Sequence, residues 1–175
     1  KESNQLLERQ KEELIQYKKM VEGSEDMMAV VDNNYKYLCV NKAFLKYHQL
    51  SEEEVIGYKA GEVLGEQAFK KKIKPYLDKS IHGESVQFDM VKDYPEYGKV
   101  YLDINYYPLE KGEGIGGVAA VMRDITQRKK AEQSLEESEE KHRFLFENMT
   151  QGVVYHSSNG EIFYANPSAA KILGL

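Results

Sequence analysis

The sequence predicts an α+β domain in which a five-stranded antiparallel sheet carries helices on one face. Connector helices that resemble coiled coils are expected at both ends of the domain. Three observations support this fold class: a strand pair precedes several short helices and then three more strands, long charged helices flank them, and the start of the domain recurs later in the chain. Segregation of strands and helices is typical of α+β architecture.

The first part of the domain is predicted to be a strand pair followed by short helices. The segments "MMAVVD" and "YKYLCV", separated by two asparagines, indicate a hairpin. Asn41 then stands at the N-cap position of a helix, and Ser51 to Glu54 form a capping box for the next one. The segment "GEQAFKKKIKPYLDKSIHGE" predicts a helix that is kinked or restarted at Pro75 and ends at Gly83.

Three strands are predicted next, from "SVQFDMV", "KVYLDINYYPL" and "IGGVAAVMRDI", with the turn-rich segments "KDYPEYG" and "EKGEG" between them. Alternation in the middle strand predicts one inward face. The residues that we expect to line a pocket between sheet and helices are Tyr76, Phe88, Met90, Leu102, Ile104, Tyr106, Ala119 and Val121. Two interpretations stay open: these side chains are simply the packed core, or tyrosine hydroxyls among them bind a small polar ligand.

Both connector helices carry a thin apolar seam. In the first, residues 1–23, the seam consists of Leu7, Leu14 and Val21 at seven-residue intervals, with Tyr17 between them. Such spacing is typical of a weak coiled coil, so we expect a homodimer through the connectors. The second connector, residues 127–148, has a similar weak seam, and a solvated spacer is the alternative interpretation.

The opening of the domain recurs after a shift of 125 residues, without a gap. "MAVVDNNYKYLCVNKAFLKYHQL" aligns with "VVYHSSNGEIFYANPSAAKILGL", so Asn41 corresponds to Asn166. We therefore expect one complete domain at residues 24–126 and the start of a second, truncated one at residues 149–175. A sequence that begins with Lys1 and ends inside a repeat is expected to be part of a longer protein.

Composition excludes several classes of function. The net charge is -5, and a nucleic-acid surface needs a clustered basic face. Cys39 is the single cysteine, so no internal disulfide can form and a reducing, cytoplasmic location is expected. No apolar run approaches the roughly 20 residues that span a bilayer, so no membrane contact is expected within these residues. A membrane anchor elsewhere in the parent protein stays an open alternative.

These segments together resemble the PAS sensory-domain family of bacterial signalling proteins. "AVVDNNYKYLCVNKAF" resembles the first two strands and the helix cap, and "GVAAVMRDIT" resembles the last strand with its Asp-Ile-Thr signature, followed by the "QRKKAE" connector. The resemblance covers residues 24–126 in full and residues 147–175 in part. It implies a tandem arrangement that senses signals or dimerises upstream of a sensor histidine kinase, a diguanylate cyclase or a similar effector.

The resemblance also permits tests for cofactors, and we predict none. Light-sensing flavin members need a helix cysteine, whereas Cys39 lies on a predicted strand, and the aligned inward positions offer no amide side chains to the flavin. Haem members use a helix histidine, but His82 is at a helix end, and His48 is interpreted as a surface or capping residue. The four histidines show no metal-ligand spacing. The identity of any small ligand is left open.

No catalytic residues are predicted, because the sequence has no phosphate-binding loop before a helix and His142 lacks the residues that follow a phosphoacceptor histidine. The candidate functional feature is instead the junction at Asp124, Ile125 and Thr126, where a strand continues directly into the second connector. Asp124 and Thr126 are expected to satisfy free amides at the start of that helix and to fix its exit angle. The expected function is signal sensing and dimerisation, with a ligand-free dimerisation or spacer module as the alternative.

Overall fold

Strands and helices follow one another in the predicted order. The computed structural model describes residues 2–112 and 114–174. These divide into two compact units, the first ending at Thr126 and the second beginning at Gln127. The strands of the first unit are β1 (Met27–Val31), β2 (Tyr37–Val40), β3 (Val86–Tyr94), β4 (Gly98–Lys111) and β5 (Gly114–Asp124). Its helices are α1 (Glu2–Glu22), α2 (Lys42–His48), α3 (Ala60–Leu64), α4 (Glu66–Ala68) and α5 (Lys74–Ile81).

The five strands form one antiparallel sheet in the order β2-β1-β5-β4-β3. The fold class predicted from the sequence is thus confirmed. The last strand in the sequence lies at the centre of the sheet, between β1 and β4. This strand is paired with β1 from Val118 to Met122 on one edge, and with β4 on the other edge as far as Asp124, the residue at which it ends.

The helices between β2 and β3 include one irregular stretch. A single 3-10 turn, Glu52–Glu54, follows the capping box of Ser51 and Glu54, as predicted. Helix α3 was not predicted. The kink expected near Pro75 is a π-helical turn, Phe69–Ile73, which joins α4 to α5 and leaves Pro75 in the first turn of α5. Proline fits there because its missing N–H has no intrahelical partner at that position.

One hydrophobic core lies between the inner face of the sheet and these helices. Its most deeply buried large side chains include Met27, Phe44, Leu102 and Ile104, each 1% exposed. The lysines at positions 70–72 are exposed, as expected for the solvent-facing side of a helix.

The second unit holds a long helix and three elements after it. The helix is α6 (Thr126–Asn148, whose first residue belongs to the first unit), and the elements that follow are β6 (Val154–His156), β7 (Ile162–Ala165) and α7 (Pro167–Leu173). The pair β6-β7 is a two-stranded antiparallel sheet, and Asn166 caps α7 as Asn41 caps α2. Apolar side chains of this unit stay exposed, including Phe163 at 69% and Ile172 at 72%. None of the helices that the structure describes is long and apolar enough to cross a bilayer.

Candidate ligand cavity and signal exit

A small cavity lies between the inner sheet face and the helices of the first unit. Its volume is about 40 Å³, which is room for roughly two or three water molecules. Of the predicted pocket residues, Met90, Leu102, Ile104 and Tyr106 line it. The wall is mostly apolar, and its sheet side is completed by Ala29, Val31, Ala120 and Met122.

Four of the predicted pocket positions are wrong. Ala119 and Val121 lie on the outer face, because Ala120 pairs with Tyr106 and Met122 pairs with Ile104 across the β4-β5 ladder. A shift of one residue in a strand exchanges its two faces. Tyr76 and Phe88 do not line the cavity either: their rings stack on each other with centroids 3.7 Å apart.

The cavity is also lined by a cationic side chain, that of Lys92, which the sequence interpretation missed. Strand β3 continues to Tyr94, so the segment predicted as a turn adds three residues to the strand. Alternation then puts Lys92 on the inner face, two residues after Met90. Extending the alternation of "SVQFDMV" by one position would have found this lysine.

Lys92 lies against His48 and Tyr94. Its Nζ is 2.9 Å from Nε2 of His48 and 4.7 Å from the centroid of the Tyr94 ring. The His48 ring stacks on Phe44 at 4.2 Å, and its Nδ1 is 2.9 Å from the Phe44 carbonyl oxygen. The imidazole therefore donates from Nδ1 to that carbonyl and accepts at Nε2 from the ammonium group.

Burial controls the charge of this pair. It lowers the pKa of His48 to about 4, with a further decrease from the nearby charge of Lys92, and it lowers the pKa of Lys92 to about 8. At neutral pH the histidine is therefore neutral and the lysine charged. The prediction that His48 lies at the surface is wrong, since it is half-buried and lines the cavity. Its bond to the Phe44 carbonyl, in the last turn of α2, agrees with the capping alternative.

The other residues tested for cofactor chemistry lie outside the cavity. His82 is exposed, with Nδ1 2.6 Å from the Asp78 carbonyl oxygen. Cys39 is on strand β2, as predicted, and exposed. Within residues 2–112 and 114–174, no three His, Cys, Asp or Glu side chains are grouped so that they could hold a metal ion.

At the exit of the domain, where β5 ends and α6 begins, Asp124 connects three elements. Its Oδ1 accepts a hydrogen bond from the backbone N–H of Thr126, the first residue of α6, at 2.8 Å. Its Oδ2 accepts one from the hydroxyl of Tyr47, on helix α2, also at 2.8 Å. Burial and this carboxylate together raise the pKa of Tyr47 to about 12. The expectation that Asp124 satisfies an amide at the start of the connector is confirmed.

Thr126 has a different role from the predicted one. Its hydroxyl oxygen accepts a hydrogen bond from the backbone N–H of Tyr101 on strand β4 at 2.9 Å, so it ties the helix start to the sheet. The N–H of Ile125 donates to the carbonyl oxygen of the same Tyr101 at 2.8 Å. All three predicted junction residues thus bond within or beside the sheet.

At the entrance of the domain, where α1 ends and β1 begins, Asn41 is hydrogen-bonded to the end of α1. Its amide nitrogen donates to the Val21 carbonyl at 3.1 Å and to the Asp26 carbonyl at 2.9 Å. Its amide oxygen accepts from the N–H groups of Met28 and Phe44. The sequence predicted only the cap to α2, because the partners on α1 and β1 depend on the tertiary fold.

This strand order, with helices over one face and a cavity between the layers, defines a sensory domain of the PAS type. The family model described as "PAS fold" matches residues 21–130, and a second, described as "PAS domain", matches residues 140–175. The chain belongs to the PAS family. PAS domains are generally sensory modules without catalytic activity.

Solved PAS domains share the fold at low sequence identity. The PAS domain of BvgS from Bordetella pertussis is 19% identical with a TM-score of 0.53, and the alignment covers 74% of this chain and 98% of that one. A PAS domain from Colwellia psychrerythraea is 17% identical with a TM-score of 0.55, covering 65% and 98%. A PAS domain of an HTR-like protein from Haloarcula marismortui is 20% identical with a TM-score of 0.51, covering 70% and 99%.

Among curated proteins, this chain is similar to sporulation kinase E of Bacillus subtilis (strain 168). The two are 42% identical over 60 residues, which is 34% of this chain and 8% of that kinase. The chain therefore spans only a small part of the length of this relative.

Proposed function

We propose that residues 24–126 sense a small ligand or a partner and pass the resulting change from the sheet to helix α6, and from there to an effector in the same protein. The observation that carries the proposal is the position of helix α2. Phe44 and His48 of this helix line the cavity, and Tyr47 of the same helix donates a hydrogen bond to Asp124 at the exit. A displacement at the cavity therefore has a short covalent and hydrogen-bonded route to the start of α6.

The central strand offers a second route to the same place. Ala120 and Met122 of β5 line the cavity, and the strand ends at Asp124 two residues later. Both routes end at the carboxylate that holds the first amide of α6. Two conformations of this junction need differ by only a few kcal/mol for a ligand to change their populations.

Effector control is proposed by analogy to sporulation kinase E, a kinase to which the chain is similar over 60 residues. A kinase or cyclase domain elsewhere in the protein would receive the signal through connectors such as α6. Dimerisation through the connectors belongs to the same proposal. It is supported by the exposed apolar seam of α1, where Leu14 is 68% and Tyr17 63% exposed, because exposed apolar patches mark contact surfaces.

A ligand-free dimerisation or spacer module is the second candidate. The small volume of the cavity and its apolar walls favour it, since these side chains already form the core. Mass spectrometry of the denatured protein separates the two candidates. A co-purified small molecule supports sensing, and a dimer that carries none supports the spacer.

Transmission itself is tested by hydrogen exchange at the amides of residues 126–130. Ala120→Val adds volume at the cavity wall, and we expect it to change exchange at these amides in the wild-type background. Tyr47→Phe removes the bond to Asp124, and in that background the same change should be strongly reduced. Tyr97→Phe is the matched control. It removes a tyrosine hydroxyl from a ring that stacks on Tyr47 at 4.5 Å, but it leaves the hydrogen bond between Tyr47 and Asp124 intact. An equal response in the Tyr47→Phe protein would contradict the proposed route.

A further inference from the structure

We propose that the cavity binds a small carboxylate, with its anionic group on the ammonium of Lys92 and its short apolar chain directed into the cavity. This inference rests on the proposed sensory function and specifies the chemical class of its ligand.

Lys92 is an unusual residue for its position. It occupies an inward position of β3, in line with Phe88, Met90 and the buried Tyr94. Lysine is rarely placed among core side chains unless it is paired. Its described contacts are the imidazole nitrogen of His48 and the face of Tyr94, and neither carries a negative charge.

The arrangement leaves donor capacity at the cavity. An ammonium group has three N–H donors, and one of them is used by Nε2 of His48. Since Nδ1 of His48 donates to the Phe44 carbonyl, the ring is fixed with its lone pair toward Lys92. The histidine therefore positions the ammonium without neutralising it.

The space around Lys92 fits a short amphipathic molecule. On one side is the apolar cavity of about 40 Å³, with Ala29, Ala120 and Leu102 in its wall. On the other side is an open groove of about 140 Å³, bordered by Leu64, Lys72, Met90, Lys92 and Asp93. Lys92, Met90, Leu64 and Ile73 border both spaces, so Lys92 lies at the boundary between them.

Charge and polarity select a carboxylate over a neutral ligand. The desolvated ammonium gains most from an anion, because charge-assisted hydrogen bonds are about twice as strong as neutral ones. The apolar side of the cavity favours a short hydrocarbon chain over a fully polar anion such as phosphate. Butanoate is a suitable probe of this class.

The test uses the 175-residue chain at pH 7 and constant ionic strength, with butanoate, its neutral analogue butanamide and inorganic phosphate as probes. We expect saturable thermal stabilisation and heats of binding with butanoate, and much weaker effects with the other two. Lys92→Met keeps the length of the side chain and removes the charge, and it should weaken butanoate binding about tenfold to a hundredfold, the effect of one charge-assisted bond. Lys99→Met, on an exposed lysine of β4, should bind as the wild type does.

A second measurement does not depend on a variant that folds. In the wild-type protein, butanoate should shift the NMR signals of the His48 ring and the Met90 methyl group, while the methyl group of the exposed Met149 stays unchanged. The proposal is overturned if butanoate causes no saturable shift, if butanamide or phosphate binds as well, or if Lys92→Met binds butanoate as tightly as the wild type. The exchange experiment with Ala120→Val uses no carboxylate, so its result shows separately whether transmission fails.

Discussion

Asn41 and Asn166, 125 residues apart, make the same four side-chain hydrogen bonds. In each, the amide oxygen accepts from two backbone N–H groups and the amide nitrogen donates to two backbone carbonyls. The partners of Asn41 are Val21, Asp26, Met28 and Phe44, and those of Asn166 are Phe146, Gln151, Val153 and Ala169. Every partner of one is 125 residues from the partner of the other. Each asparagine thus joins the end of the preceding helix to the start of its own strand pair.

The first prediction separates the two halves of this asparagine network. Asn41→Asp keeps the oxygen that accepts from Met28 and Phe44, but it places an oxygen against the carbonyls of Val21 and Asp26. We expect faster hydrogen exchange in the last turn of α1, because that end loses its bond. Helix α2 should keep its protection.

Asn41→Ala serves as the comparison, since it removes all four bonds. The side chain is 1% exposed, and buried groups left without partners are costly, so we expect the free energy of unfolding to fall by about 2–4 kcal/mol. Denaturant unfolding measures this loss. Equal exchange in α1 for Asn41→Asp and the wild type would refute the role at the helix end.

The second prediction concerns acid stability. His48 has its pKa lowered to about 4 in the folded chain, against 6.5 as its ordinary value. Between these values the unfolded chain binds a proton that the folded chain does not, so the free energy of unfolding should decrease as pH falls from 6.5 to 4. Denaturant unfolding across this range measures the slope.

His48→Gln removes this titration while other acid-sensitive groups remain. We therefore expect the wild type to lose more stability than the variant between pH 6.5 and 4. Parallel curves for the two proteins would show that the imidazole titrates normally when folded.

The third prediction concerns a close approach of two strands. A Cβ atom on Gly117 would clash with the carbonyl oxygen of Val31, a backbone atom that cannot move freely. We expect Gly117→Ala to lower the free energy of unfolding by about 1–3 kcal/mol through overpacking. Gly114→Ala on the same strand is the control, since no described atom outside its two chain neighbours lies within 4 Å of the added Cβ. Thermal unfolding of both variants gives the comparison, and similar Tm values would contradict it.

The fourth prediction concerns the seam of α1. Leu14 is exposed on the single chain, so if it pairs with a second copy, Leu14→Glu should shift the protein toward monomer in sedimentation velocity. A charge at a seam position disfavours coiled-coil pairing. Gln16→Glu adds the same charge outside the seam and should leave the association unchanged. A monomeric wild type would remove the basis for dimerisation through this helix.

The strands, the sheet and the exit junction were predictable because their signals are local. The alternation of β4 and the Asp-Ile-Thr run are visible in a few adjacent residues. The face of β5 was not predictable in the same way, because "VAAVM" is apolar at every position and shows no difference between its two sides. Its register is set by pairing with Tyr106 and Ile104.

The polar part of the cavity was missed for a different reason. Lys92 lies in "KDYPEYG", whose charged residues and proline are typical of a turn, and its strand conformation depends on pairing with Val100. His48 could not be placed from the sequence, because its contact with Lys92 joins residues 44 positions apart. Interactions between distant residues determine the site, and no local pattern shows them.

Helix α2 has only seven residues, and it contacts the entrance at Asn41, the cavity at His48 and the exit at Tyr47. In the proposed mechanism the two turns of this helix shift together, so that these three places share one displacement. Thermodynamic linkage then requires the proposed coupling to be reciprocal. A partner that shifts α6 must change the affinity of the cavity for its ligand by the same factor by which the ligand changes the affinity for that partner. The effector would therefore set the concentration at which the domain responds to its signal.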